Sequence, residues 1–269
     1  MTWQTKIAAY CKKYNIPIEY LSNTLDEPKV VPMIRGKAFE FSVVLAFKEI
    51  LKEKTWGVSK TPMNAQQGSH DIDVQLTHLP TGKQISVECK LAAKGRFKAL
   101  SDGSVYIGVK CMRSRTLGAA MVAQLAPRFG VSPKQLLVHN DQYLPVDFDL
   151  VVTSIGNAFY KTDPETGSFV WAPSDEGTIF LERLRDKYGV LSKIPLKDFA
   201  FNQLYIAKAS ALAVSKNGIV CGRRGCKRKA HCGFIPNYPV IKFDPKTLEP
   251  ISPWHHATDI SSVLKGFIK

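Results

Sequence analysis

The residues best suited to chemistry lie between positions 68 and 90, in the order Asp71, Asp73, Glu88 and Lys90. Both ends of this stretch alternate polar and apolar residues with the period of two that predicts half-buried β-strands. The Pro-Thr-Gly sequence at 80–82 has the composition of a turn. The two strands are therefore expected to pair as an antiparallel hairpin.

This hairpin is expected to gather its charged side chains on one face. Alternate residues of a strand point the same way, so Glu88 and Lys90 share a face and the apolar residues between them turn to the core. Asp71 or Asp73 reaches the same face from the neighbouring strand, and Asp71 is preferred because it stands at the strand entry. Two carboxylates crowded together are costly unless a cation neutralises them. The simpler alternative is a surface ion pair between Glu88 and Lys90, worth about 0–1 kcal/mol.

A third carboxylate, Glu40, falls on a predicted amphipathic helix over 34–54. Its neighbours at helical steps are apolar, which places it at the edge of the buried face. An ion pair with Lys37 or another lysine is the simpler interpretation of this residue.

The C-terminal third contains a second group with chemical potential, in the loop 221–232. Cys221, Cys226, His231 and Cys232 offer three thiolates and an imidazole, the ligand types that Zn²⁺ prefers. His231 and Cys232 are adjacent, and neighbours often cannot both bind one ion. A fourth ligand from elsewhere, such as His255 or His256, and a metal-free loop of reduced cysteines are the alternatives.

The chain is strongly basic, with 37 Lys and Arg against 23 Asp and Glu, a formal charge of +14 and a pI near 9.5. This surplus favours a polyanionic partner. Basic residues 91–98 are expected to form a loop beside the hairpin, and they can be phosphate contacts or merely solvated. The candidate DNA contacts are Lys94, Arg96, Lys98, Arg113, Arg115, Arg223, Arg224 and Arg228.

Several classes of protein are disfavoured by the sequence. No apolar run approaches the roughly 20 residues of a membrane span, no signal-peptide core is present, and no phosphate-binding G-x-x-x-x-G-K-[ST] loop occurs. The six cysteines do not resemble a secreted disulfide framework. We therefore expect a cytoplasmic protein without a nucleotide cofactor.

The pattern of elements predicts a mixed α/β (α+β) fold. A surface helix is expected over 3–14, and residues 1–33 form an N-terminal helical segment. A core over 34–155 follows, and residues 156–269 are expected to be an elaboration packed on it. Further strands are predicted at 104–111, 136–139, 149–154, 158–161, 168–171 and 238–243, and helices at 115–128, 178–188, 199–214 and from 257.

The hairpin residues resemble the motif of the PD-(D/E)XK nuclease superfamily. The resemblance is carried by Asp71 or Asp73 followed by Glu88-x-Lys90, with His70 where the family often has proline. The other Glu-x-Lys, Glu27-Pro28-Lys29, contains a proline and is expected to be a loop. The resemblance implies a restriction-endonuclease-like core, a mixed central sheet flanked by helices. It also implies that Glu40 reaches the metal directly or through water.

The function implied by the resemblance is that of a type II restriction endonuclease of a prokaryote. Asp71, Glu88, Lys90 and Glu40 would be catalytic, and the carboxylates, with Asp73, would hold Mg²⁺. The partners would be double-stranded DNA and a second copy of the chain, as a homodimer. A structure-specific repair or junction-resolving nuclease is the alternative enzyme. A non-catalytic zinc-containing DNA-binding protein is the alternative of another class.

Overall fold

A computed structural model of the chain describes residues 1–60, 72–215 and 218–268. The helices, in chain order, are α1 (Trp3–Tyr14), α2 (Leu21–Asp26), α3 (Val31–Ile50), α4 (Ala119–Arg128), α5 (Pro133–Val138), α6 (Asp175–Lys187), α7 (Leu196–Asn202), α8 (Ala209–Leu212) and α9 (Ile260–Ile268). The strands are β1 (Trp56–Ser59), β2 (Val74–His78), β3 (Lys83–Cys89), β4 (Ala92–Ala99), β5 (Val105–Val109), β6 (Leu150–Ser154), β7 (Tyr160–Thr162), β8 (Phe169–Trp171), β9 (Leu204–Lys208), β10 (Val240–Phe243) and β11 (His255–His256).

The largest sheet is mixed and has the order β1-β2-β3-β6-β9-β11. Strands β3 and β6 run parallel, and the other neighbours are antiparallel. The β2–β3 hairpin turns at Gly82, whose φ of 69° is a left-handed conformation that glycine adopts without strain. The predicted hairpin and the predicted mixed α/β fold class are confirmed.

Both faces of the central sheet are buried, which explains why every residue of β6 is buried and its first three residues are apolar. On one face, Leu150 and Val152 of β6 join a core with α3 and α9. On the other face, Val151 joins a core with α6, α7, β5 and β10. Successive residues of a central strand thus enter different cores. Strand β3 follows the same rule, with Val87 and Cys89 on the α3 face.

The chain after residue 156 is part of the sheets as well as a cover for them. It supplies β9 and β11 to the central sheet, and β10 to a three-stranded sheet of order β10-β5-β4. Helices α4 and α5 lie apart from both large cores, against the cysteine loop and the segment at Phe234.

Three predicted elements were wrong. Residues 91–98 are not a loop, because all of them except Leu91 belong to strand β4, which pairs with β5 through a bulge. Residues 136–139 belong to helix α5 and its end, because Ser132 caps the backbone N–H of Gln135 and Pro133 opens the first turn. The helix predicted over 199–214 is interrupted by β9, whose apolar run is buried against β6.

No helix among the described residues combines the length and the apolar character needed to cross a membrane.

Candidate functional site

The hairpin places Asp73 and Glu88 opposite each other. Val74 of β2 pairs with Val87 of β3, and one further step along both strands sets Asp73 across from Glu88. The Oδ2 atom of Asp73 accepts a hydrogen bond from the backbone N–H of Cys89 at 2.9 Å. Asp73 is therefore held at the end of the ladder, although it precedes the first residue of β2. Asp71, the preferred ligand in the sequence analysis, lies outside the described residues.

Glu88 is buried between a tyrosine and a lysine. Its Oε1 atom accepts a hydrogen bond from the hydroxyl of Tyr143 at 2.9 Å and lies 2.6 Å from the Nζ of Lys90. The ammonium of Lys90 also lies 5.2 Å from the centre of the Tyr143 ring. Backbone N–H of Lys90 donates to the carbonyl of Val152 on β6. The Glu-x-Lys pair is thus fixed from both neighbouring strands and from a third segment.

The ion pair suggested as the simpler interpretation of Glu88 and Lys90 is present, but it is not a surface pair. The side chain of Glu88 is 3% exposed and that of Lys90 is 19% exposed. Removing charges from water costs several kcal/mol per ion unless the geometry repays it. A buried ion pair of this kind contributes little to stability and is more typical of a functional site.

The electrostatics of the cluster show that its groups act on one another. Burial raises the pKa of Asp73, and the neighbouring Glu88 carboxylate raises it further, against the Cys89 N–H and Lys90. Burial alone lowers the pKa of Lys90, but the Glu88 carboxylate and Tyr143 outweigh it, so the net pKa of Lys90 is raised. The lysine therefore stays charged, while the Glu88 carboxylate opposes the ionisation of Asp73.

Glu40 belongs to the same electrostatic neighbourhood. It is buried on α3, where its Oε1 lies 2.7 Å from the Nζ of Lys37 and its Oε2 pairs with Lys60. Lys37 also lowers the pKa of Asp73, so one ammonium acts on both carboxylates. The predicted pairing of Glu40 with Lys37 is confirmed, and Lys60, just after β1, was not foreseen.

Two of these carboxylates offer the hard oxygen ligands that Mg²⁺ takes. Asp73 and Glu88 face each other, and burial and Glu88 both raise the pKa of Asp73, an opposition to ionisation that a divalent cation would relieve. Among the described residues, the one group of three or more His, Cys, Asp and Glu side chains close enough to share an ion is a different one. Glu40 thus does not join Asp73 and Glu88 as a direct third ligand in this structure.

That group consists of Cys221, Cys226, Cys232 and His139, all buried, with their ligand atoms within 4.8 Å of one another. The three cysteines are those of the sequence analysis, but the imidazole is not. His231 is exposed and does not belong to the group, because its neighbour Cys232 points inward. His139 lies at the end of α5, within a segment that had been predicted as a strand, which is why it was missed.

The predicted DNA contacts divide into two sets by exposure. Arg113 pairs with Asp147 at 2.5 Å and only 10% of its side chain is exposed, whereas Arg223 pairs with Asp141 and 32% of its side chain is exposed. Both arginines are held in ion pairs with aspartates of the protein. The exposed candidates are Lys94, Arg96, Lys98, Arg115, Arg224 and Arg228.

Tyr143 is the residue of the hairpin site that sequence reasoning overlooked. It follows α5 in a segment without helical or strand periodicity, so no pattern marked it. A tyrosine hydroxyl that donates to a buried carboxylate becomes visible only when the two segments pack together.

Comparisons with protein-family models, with curated proteins and with solved structures found no match to this chain.

Proposed function

We propose that this chain is an Mg²⁺-dependent endonuclease that hydrolyses double-stranded DNA at a short specific sequence, as a type II restriction enzyme does. The observation that carries the proposal is the buried arrangement of Asp73, Glu88 and Lys90 at the end of the hairpin. Glu88 and burial raise the pKa of Asp73 beside a charged lysine, and groups with perturbed pKa values concentrate at functional sites. The proposal includes a restriction-endonuclease-like core formed by α3, the hairpin and β6.

Asp73 and Glu88 are the residues that would hold Mg²⁺, with Asp71 as a further candidate from the preceding segment. Glu40, held by Lys37 and Lys60, would act through a water molecule. A bound Mg²⁺ supplies charge neutralisation at the phosphate and a more acidic water.

Lys90 would supply the positive charge at the reacting phosphate. Its raised pKa keeps the ammonium charged at neutral pH, and its position beside Glu88 places it next to a carboxylate that would hold the metal. An ammonium there can orient the attacking water and stabilise the extra negative charge of the transition state. Tyr143 would act as a positioning residue, since its hydroxyl fixes the Oε1 atom of Glu88.

The DNA backbone would be bound by strand β4, which begins two residues after Lys90. Lys94, Arg96 and Lys98 are exposed on this strand. Exposed lysine and arginine side chains next to a reaction centre suit phosphate contacts, which fix the register of a protein on the duplex.

The proposal is tested by digesting a sequenced plasmid with purified protein in Mg²⁺. We expect discrete fragments from the parent protein and no cleavage by Glu88→Gln, which keeps the shape of the side chain and removes its charge. The DNA affinity of the variant should stay within about tenfold of the parent, or roughly 1.4 kcal/mol, because the buried side chain of Glu88 would make few contacts with DNA. The matched control is Glu182→Gln, an exposed carboxylate on α6 that should cut like the parent.

Three outcomes would contradict the proposal in different ways. Cleavage by Glu88→Gln at the parental rate would remove the hairpin from the reaction. Cleavage of branched DNA alone would favour a junction-resolving or repair nuclease. Binding without cleavage by the parent protein, at any Mg²⁺ concentration, would favour a non-catalytic DNA-binding protein.

A homodimer is part of the proposed function, because two-fold symmetry matches a palindromic site. Helix α1 supports it with an apolar stripe that its own chain leaves exposed, formed by Trp3, Ile7, Tyr10 and Tyr14. These residues recur at helical spacing on one face, and exposed apolar faces of this kind mark interaction surfaces.

A further inference from the structure

The cysteine loop belongs to a small lobe with its own core. Helices α4 and α5 pack against the loop through buried residues that include the three cysteines themselves: Val122, Ala126, Leu136, Leu144, Val214, Cys221, Cys226, Cys232 and Phe234. A core of this size supplies little stability without a covalent or metal cross-link. The thiols are free, so no disulfide provides the cross-link.

The side chains of Cys221, Cys226, Cys232 and His139 converge on one point. Their ligand atoms lie within 4.8 Å of one another, and the edges of a tetrahedron around one Zn²⁺ are about 3.8 Å for Zn–S bonds of roughly 2.3 Å. The spacing suits a single ion.

His139 is oriented as a metal ligand. Its Nδ1 lies 2.5 Å from the Oε1 of Gln142, and the Nε2 of the same amide donates to the carbonyl of Ile235 at 3.0 Å. Because the amide NH₂ group is committed to that carbonyl, the amide oxygen faces His139 and Nδ1 must carry the proton. The Nε2 of His139 is then an unprotonated acceptor. It is buried and has no hydrogen-bond partner among the described residues.

This orientation is the one that metal-bound histidines adopt, with the second ring nitrogen donating to a neighbouring group. The ring is also fixed from one side, because it stacks on Phe234 with ring centres 4.2 Å apart. The imidazole lies among three thiols, and its buried Nε2 has a free lone pair that a metal ion would occupy.

Backbone N–H groups point at two of the sulfurs. The N–H of Arg223 donates to the Sγ of Cys221 at 3.4 Å, and the N–H of Phe234 donates to the sulfur of Cys232. In both cases the donor lies two residues after the cysteine. Hydrogen bonds to the charged form favour it, but burial has the larger effect and raises the pKa of both thiols. The thiolate is the form that binds metal, and a bound cation would offset the cost of burying it.

We propose that Cys221, Cys226, Cys232 and the Nε2 of His139 bind one Zn²⁺ as a closed structural site. The metal joins the end of α5 to the loop 221–232, two segments that the small core alone holds weakly. It thereby fixes the exposed basic residues of the loop, namely Arg224, Lys227, Arg228 and Lys229. It also anchors the segment that continues from His139 to Tyr143. The site is independent of whether the hairpin cuts DNA.

The test is elemental analysis of protein purified without chelator. We expect close to one zinc per chain in the parent, loss of most of it in His139→Ala and in Cys226→Ser, and full retention in His231→Ala. The last variant is the matched control, because it removes the exposed histidine adjacent to a ligand. Retention of zinc by His139→Ala together with loss from His231→Ala would overturn the assignment of the imidazole.

A second measurement on the parent protein covers the case in which the variants fail to fold. Zinc is removed with a chelator and replaced by Co²⁺. We expect the visible bands of tetrahedral Co²⁺ and a thiolate-to-metal charge-transfer band, which zinc then displaces. Absence of these bands in folded protein, or a parent with far less than one zinc per chain, would overturn the proposal.

Discussion

At the scale of single residues, the site is defined by charges that are buried and mutually coupled. Glu88 forms an ion pair with Lys90 and accepts a hydrogen bond from Tyr143, and Glu40 forms ion pairs with two lysines. The charge of Asp73 is less well stabilised. Its carboxylate accepts one backbone hydrogen bond, while burial and the facing carboxylate of Glu88 both oppose its ionisation. It is therefore the residue at which folding and a proposed function compete most directly.

The first prediction is that Asp73→Asn stabilises the metal-free protein at neutral pH. Because the folded pKa of Asp73 is raised, the unfolded chain gives up its proton first as the pH rises above the ordinary value of 3.8, and folding loses free energy. Asparagine removes this loss and can still accept from Cys89. In urea titrations at several pH values, the advantage of the variant should grow as the pH rises from about 4 and then level off.

In the presence of Mg²⁺, the parent protein should be more stable than Asp73→Asn. A metal that binds only the folded parent adds about 2.7 kcal/mol to its free energy of unfolding at a concentration a hundredfold above Kd, and less to the variant. Asp26→Asn, which changes an exposed carboxylate on α2, serves as the control. An advantage of Asp73→Asn that is the same at every pH would contradict the assigned cause.

At the scale of elements, basic side chains have different roles that depend on the segment that carries them. Strand β4 presents Lys98 to solvent, whereas the segment after β5 turns Arg113 inward onto Asp147. Only 10% of the Arg113 side chain is exposed. The central position of β3 fixes the backbone at Glu88, because β3 pairs with β2 on one side and with β6 on the other.

The second prediction compares Lys98→Ala with Arg113→Ala. Each variant removes one positive charge, the first from strand β4 and the second from the segment after β5. In a Glu88→Gln background, Lys98→Ala should weaken DNA binding and flatten the slope of log K against log salt by about 0.9. Its stability should change little. Arg113→Ala should leave the slope nearly unchanged and lower the free energy of unfolding by about 3 kcal/mol, because it strands a buried carboxylate.

Salt titrations of DNA binding and urea titrations of folding measure the two effects separately. Equal slopes for Lys98→Ala and the background protein would remove β4 from the DNA surface. An Arg113→Ala protein as stable as the background would show that its ion pair contributes nothing.

At the scale of the whole molecule, charge and exposed apolar surface point to partners. The formal charge of +14 is spread along the chain, and the apolar stripe of α1 is exposed, with Trp3 68% and Tyr10 54% exposed. We propose DNA as the partner for the first feature and another copy of this chain for the second.

The third prediction is that the protein is a homodimer in solution through α1. Light scattering on eluted protein should give twice the chain mass of 29.9 kDa. Trp3→Glu combined with Tyr10→Glu should give the mass of one chain, because a charge in an apolar interface is costly to bury. The control is Lys12→Glu, an exposed residue on the side of α1 opposite the stripe. A monomeric parent at every concentration would contradict the prediction.

The sequence by itself determined the features that depend on local periodicity. The hairpin, the buried strand β6 and helix α3 with Glu40 on it all follow from the spacing of apolar residues within one element. The Glu-x-Lys pair and the cysteine loop were recognisable because their members lie within a few residues of each other.

Only the tertiary structure decided which distant groups complete these features. Tyr143 donates to Glu88 across 55 residues, and His139, not His231, meets the three cysteines. The segment of β9 is predicted as part of a helix, because a short apolar run fits a buried helix as well as a buried strand. In the folded chain this segment pairs with β6 and is a strand. In each case the outcome depends on which segments pack against each other, a property of the folded chain that no local pattern carries.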